Sequence, residues 1–252
     1  MSSSFFAIFI FGLCIGSLLN RLIRNLPEGK WLIPYTCTRC HARLPWVRTL
    51  PLGTLLQAGG RCQCGEPLIR PLVVELLTGV LFVWCFAILG FGLALFKAML
   101  LLTFLIVITF IDLEHQLILD RVVVALTCAG VAVNLAYHDL AGSVSYLGMF
   151  GGALLGGGVM LLIAVLSRGG MGGGDIKFMA ALGVWFGPQL TLLILFLASF
   201  IGGLGSVAVL LLRVKGRKDF MPFGPFIAAG AFLGLLYGSS ILHWYFSRLG
   251  NP

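Results

Sequence analysis

The 252-residue chain is 59% hydrophobic and only 10% charged, with a mean hydropathy of +1.04 and a formal net charge of +8. A soluble domain carries about 25% charged residues, so this composition excludes an ordinary water-soluble fold. The apolar runs are long and continuous rather than alternating with period two, which excludes a β-barrel and leaves an all-α polytopic membrane protein.

A crossing needs about 20 apolar residues, fewer where the segment is buried or re-entrant. Eight segments qualify: 5–23, 72–90, 94–112, 121–137, 144–166, 176–187, 189–212 and 224–246. The first has no basic residue before it and no small-residue cleavage site after it, so it is expected to stay as a helix rather than leave as a signal peptide. The sixth is short, closed by Gly187-Pro188, where the chain is expected to turn. Glycines recur at four-residue spacing (Gly12/Gly16, Gly148/Gly152/Gly156, Gly230/Gly234/Gly238), which predicts close helix packing.

With eight alternating crossings, segments 24–71, 113–120, 167–175 and 213–223 share one side of the bilayer. That side and its helix ends hold nearly all the basic residues, including Arg39, Arg43, Arg48, Arg61 and the Arg213–Lys218 cluster; the other side holds Lys97 and Arg248. By the positive-inside rule the basic side is cytoplasmic and both termini are outside. The same rule accounts for the positive charge by contact with anionic lipid, with no nucleic-acid partner required.

Three parts are expected: a first helix over 1–23, a cytoplasmic segment over 24–71, and a membrane core over 72–252. The cytoplasmic segment, about 48 residues, is too short for a stable core without a staple. It carries four of the seven cysteines: Cys37 and Cys40, then Cys62 and Cys64 after an interval of 21 residues. A cytoplasmic location argues against disulfides. Two close pairs at this separation suggest a zinc-ribbon-like Cys₄ site, with reduced thiols or redox chemistry as the alternative. Only one residue separates Cys62 from Cys64, which departs from the usual knuckle. His41 is a loop residue or a substitute ligand. Cys14, Cys85 and Cys128 lie in spans, where packing is the expected role.

Only nine residues are acidic. An ionisable group beside an apolar span is costly and points to function. Asp112 ends the third segment and Asp175 sits in Gly172-Gly173-Gly174-Asp175-Ile176-Lys177 at the start of the sixth, so both fall at the cytoplasmic boundary. Two carboxyls within reach of each other can share a proton and activate water against an amide. The competing expectation is that each caps a helix or faces water. Asp120 precedes a helix and is expected to cap it or to support the pair. Lys177 is expected to mark the boundary. Glu114 and His115 are expected to be solvated. Glu75 is either a paired acid or a group for substrate binding or methylation.

The ordered set of motifs resembles the type IV prepilin peptidase family. It runs from Gly16-Ser17-Leu18-Leu19-Asn20 and Leu26-Pro27 through the cysteine pairs, Val74-Glu75-Leu76-Leu77-Thr78-Gly79, Ile111-Asp112-Leu113 and the Gly172–Lys177 run to Met221-Pro222-Phe223-Gly224-Pro225-Phe226. The resemblance implies an intramembrane aspartic endopeptidase with Asp112 and Asp175 as catalytic pair. Its implied substrates are type IV prepilins or pseudopilins, losing a basic leader after a glycine at the cytoplasmic face of the bacterial inner membrane. It also implies N-methylation with S-adenosylmethionine. Two positions depart from the family pattern: Leu119 stands where proline is usual, and one residue is missing between Cys62 and Cys64. A proton- or cation-coupled transporter is the alternative for the two aspartates. A zinc metallopeptidase is disfavoured, since no HExxH helix occurs.

Overall fold

The computed structural model describes residues 2–29, 64, 69–136, 144–167, 171–211 and 222–249. Cys37, Cys40, Cys62, His41 and most of the expected cytoplasmic segment lie outside these. The described elements are all helical: α1 (Ser2–Asn25), α2 (Ile69–Leu89), α3 (Leu93–His115), α4 (Asp120–Ala136), α5 (Tyr146–Leu166), α6 (Gly173–Leu211) and α7 (Gly224–Leu249). Among the described residues six helices are long and apolar enough to cross a membrane, namely all except α4. Large apolar side chains stand open on them, such as Leu147, Phe150, Leu154 and Phe196. Water would not tolerate so much exposed apolar surface, and the protein is an integral membrane protein.

Six spans rather than eight reach the length and apolarity of a crossing among the described residues. The fourth segment is a helix of only 17 residues, and the sixth and seventh are two helical limbs, labelled together as α6, that part at Gly187, where the backbone leaves helical geometry as expected for Gly187-Pro188. The chain packs as two compact units, Met1–Val107 and Ile108–Pro252, with the division falling inside α3.

In the first unit α1 and α2 pack backbone to backbone. A Cβ on Gly12 would lie 2.7 Å from the Cα of Gly79, and one on Gly16 would lie 2.7 Å from the Cα of Glu75. Small residues allow this approach, and close van der Waals packing is what joins helices in lipid. Asn20 Nδ2 donates to the carbonyl of Pro71 at 2.9 Å, tying the ends of the two helices. Glu75 is 2% exposed on this seam.

In the second unit α6 packs against α4, α5 and α7. The glycine spacings fall on these seams. Gly152 and Gly156 of α5 lie against the backbone of Gly183 and Met179, and Gly230 of α7 lies against that of Ile194 and Ala198. At the break Gly187 takes φ +71°, open to glycine at little cost, and Pro188 follows. Proline has no N–H, so the carbonyl of Val184 loses its helical partner. Asn134 Nδ2 on α4 donates to that carbonyl at 2.9 Å, and Thr191 Oγ1 donates to the carbonyl of Gly187 at 2.6 Å. Next to the break Trp185 Nε1 donates to the carbonyl of Leu126 at 2.9 Å, its indole filling the space that Gly130 leaves.

Candidate active site

Asp112 lies in the last turn of α3 and is 5% exposed; Asp175 lies in the first turn of α6 and is 6% exposed. The fold brings them within electrostatic reach, so that a charge on Asp112 would be felt at Asp175, and in a poorly solvated setting like charges interact strongly. Both predicted site aspartates are therefore buried and within electrostatic reach.

Their surroundings differ. Asp112 Oδ2 accepts the backbone N–H of Gly224 at 2.9 Å. Asp175 is the third residue of its helix. Its own N–H donates to the carbonyl of Gly172 at 3.2 Å, and the N–H of Gly172 lies in hydrogen-bonding reach of its carboxyl. The Asp175 carboxyl thus supplies the acid half of a capping box, while the other half is missing because Gly172 has no side chain to accept the Asp175 N–H. Asp175 Oδ1 is buried and has no hydrogen-bond partner among the described residues. A buried carboxylate oxygen left unmet by protein donors is costly to folding.

The glycine run does not stay a loop. Gly173 and Gly174 form the first residues of α6. A Cβ on Gly174 would lie 2.7 Å from the Cβ of Ile118, so this glycine lets the α3–α4 connection press against the start of α6. Gly173 faces open space.

Lys177 does more than mark a boundary. Its Nζ meets Asp120 Oδ1 at 2.7 Å, joining the starts of α4 and α6. Two residues turn a helix by about 200°, so Lys177 lies on the face of α6 away from Asp175. Beside this ion pair, a cavity of about 410 Å³ runs between α4, α5 and α6, lined by Val123, Val124, Thr127, Ala153, Ala180 and Val184. Glu114 and His115 approach only to 4.0 Å and are well solvated. Cys64 is exposed, and no cluster of potential metal ligands occurs among the described residues.

Two buried carboxyls from different helices thus lie within electrostatic reach, one held by the N–H of Gly224 and the other with an oxygen unmet among the described residues. Two family models cover most of the chain: the type IV leader peptidase family over residues 99–207, and the bacterial peptidase A24 N-terminal domain over 10–89. A protein of Aeromonas salmonicida, described as a prepilin leader peptidase/N-methyltransferase, is 32% identical over 97% of this chain and 94% of its own length. The chain belongs to the type IV leader peptidase family. Relatives with the same description occur in Legionella pneumophila, 31% identical over 94% of this chain and 92% of theirs, and in Bacillus subtilis, 32% identical over 94% and 96%. No solved structure matches. Asp112, Asp120, Asp175 and Lys177 all fall inside the leader peptidase match, whereas Gly224 lies beyond its end.

Gly224, the donor to Asp112, is the residue at this site that sequence reasoning missed. It was legible only as part of the Met221–Phe226 motif. A glycine and a proline opening an apolar helix were the available signal for an unusual helix start.

Proposed function

We propose that this member of the type IV leader peptidase family is an intramembrane aspartic endopeptidase that removes the basic leader of type IV prepilins or pseudopilins, with Asp112 and Asp175 as its catalytic pair. One observation carries the assignment: two buried carboxyls from different helices lie within electrostatic reach, and one keeps an oxygen without a partner among the described residues.

The chemistry follows from one proton shared between them. The ionised carboxyl takes a proton from water as the water oxygen bonds to the scissile carbonyl carbon. The neutral carboxyl hydrogen-bonds the carbonyl oxygen and favours the tetrahedral intermediate. A proton then passes to the departing nitrogen and the C–N bond breaks. With Asp112 Oδ2 engaged by Gly224, its Oδ1 and the open Oδ1 of Asp175 are the oxygens left for water and substrate.

The topology proposed with this activity puts the pair at the cytoplasmic face of the bacterial inner membrane and both termini outside. It is supported by the distribution of Lys and Arg between the connecting segments. It requires the two limbs of α6 to cross separately and the 17-residue α4 to cross as well, at the short end of what a crossing needs. A straight helix of the length of α6 would run about 58 Å, against a hydrocarbon core of about 30 Å. A basic leader then stays in the cytoplasm while the apolar helix behind it enters the bilayer. The cut falls after a glycine at the boundary between them.

Zinc is proposed as the staple of segment 24–71, held by Cys37, Cys40, Cys62 and Cys64. Four thiolates are the donor set of a closed structural site, whose binding energy folds the loop around it. N-methylation of the new N-terminus, with S-adenosylmethionine as methyl donor, is proposed on the printed description of the relatives. No strand–glycine–helix cofactor fingerprint occurs in the sequence, and no residue is assigned to that step.

The test is mass spectrometry of a type IV prepilin incubated with the purified protein in lipid. The expected products are a free leader ending in glycine and a mature pilin, with a 14 Da increment on the pilin when S-adenosylmethionine is added (about the mass of one CH₂). An intact prepilin after incubation with wild-type protein contradicts the proposal.

A further inference from the structure

The opening turn of α7 has an unusually complete account of its donors. A helix leaves its first N–H groups without partners inside the helix. Here the N–H groups of Phe226 and Ile227 both reach the carbonyl of Phe223, at 3.0 and 3.1 Å. Pro225 has no N–H to offer. One donor remains, that of Gly224, and it goes to Asp112 Oδ2 across 112 positions of sequence.

The contact needs glycine for a steric reason. A Cβ at Gly224 would lie 2.6 Å from Asp112 Oδ2 and 3.2 Å from its Cγ. Any side chain would push the carboxylate away from the donor that holds it. The flanking aromatic rings fix where the donor sits. Phe223 and Phe226 lie against Gly202 of the second limb of α6, and Phe226 against Gly205 as well. The Met221–Phe226 motif thereby divides its labour: the rings seat the helix start, proline removes a competing donor, and glycine gives its N–H to the aspartate.

We propose that Gly224 is a positioning residue for Asp112, whose backbone N–H fixes one carboxylate oxygen so that the other is aimed at the attacking water. The proposal rests on Asp112 being catalytic. Gly224 acts through Asp112, without contact to the substrate. Loss of aim therefore slows the chemical step and leaves substrate binding alone.

The experiment compares Gly224→Ala with wild type in purified full-length protein, with Gly203→Ala as control, since a Cβ at Gly203 meets nothing within 4 Å. Gly224→Ala is expected to lower kcat by about 10- to 100-fold, as misplacement of a catalytic group by about 1 Å does, with KM within about twofold. Thermal unfolding supplies the second readout. Gly224→Ala is expected to lower Tm in the wild-type background and to leave Tm unchanged in the Asp112→Ala background, where no carboxylate remains to collide with. If Gly224→Ala alone does not accumulate, Asp112→Ala/Gly224→Ala is expected to do so. A wild-type kcat in Gly224→Ala overturns the proposal. So does an equal Tm loss in both backgrounds, or a double variant that also fails to accumulate. The Tm comparison needs no turnover, so it decides the contact even if wild-type protein cleaves no prepilin, an outcome that would fall on the peptidase assignment instead.

Discussion

The two ends of the first limb of α6 are both irregular, yet they are treated in opposite ways. At Gly187-Pro188 the carbonyl freed by the proline is met, since Asn134 donates to that of Val184; Thr191 donates to the carbonyl of Gly187, and the nearby Trp185 indole to that of Leu126. At the other end Asp175 is 6% exposed and still keeps one oxygen unmet among the described residues. The difference fits a break that shapes the fold and, on the proposed function, an end kept open for chemistry.

Substitutions at the two ends should therefore split activity from stability. Asp175→Asn should cut the rate of prepilin cleavage by on the order of 10³-fold, the scale lost with a general acid or base. Its Tm should equal or exceed that of wild type, because a neutral amide is easier to bury than a carboxylate with an unmet oxygen. A Tm well below wild type would mean that Asp175 is chiefly a cap. Gly174→Ala presses on Ile118 and shifts the start of α6, so cleavage should fall by about 10-fold or more, short of Asp175→Asn. Wild-type turnover there would show that the α3–α4 connection yields freely.

At the other end Asn134→Leu should lower unfolding stability by roughly 1 kcal/mol, within the range measured for hydrogen bonds between membrane helices. The activity of the folded fraction should stay near wild type. Loss of turnover without loss of Tm would erase the distinction between the two ends. The smallest effect belongs to Lys177→Ala. Its ion pair with Asp120 is more than half exposed on both partners, and such pairs contribute about 0–1 kcal/mol and weaken with salt. A loss of cleavage as large as that of Asp175→Asn would move Lys177 from the scaffold into the catalytic machinery.

What could be read in the sequence followed the range of the interactions. The turn at Gly187-Pro188 was legible because both residues act on their own backbone. The glycine spacings were legible because period four puts them on one helix face. The aspartates were legible because an acid beside an apolar run is costly wherever the chain folds. Lys177 passed for a boundary marker because its partner, Asp120, is 57 positions away. Gly224 left only the trace of a glycine and a proline opening an apolar helix. Its significance is a backbone donor meeting a carboxylate from another helix, and no side chain records it.

The account turns on Asp112 and Asp175 working as one unit, and the most direct measurement is the cleavage rate of Asp112→Asn, Asp175→Asn and the double variant on the same prepilin. Residues that act together lose nearly everything at the first substitution. Each single variant is predicted to be as inactive as the double, with all three proteins folded. Wild-type cleavage by either single variant, or losses that multiply independently in the double, would contradict it.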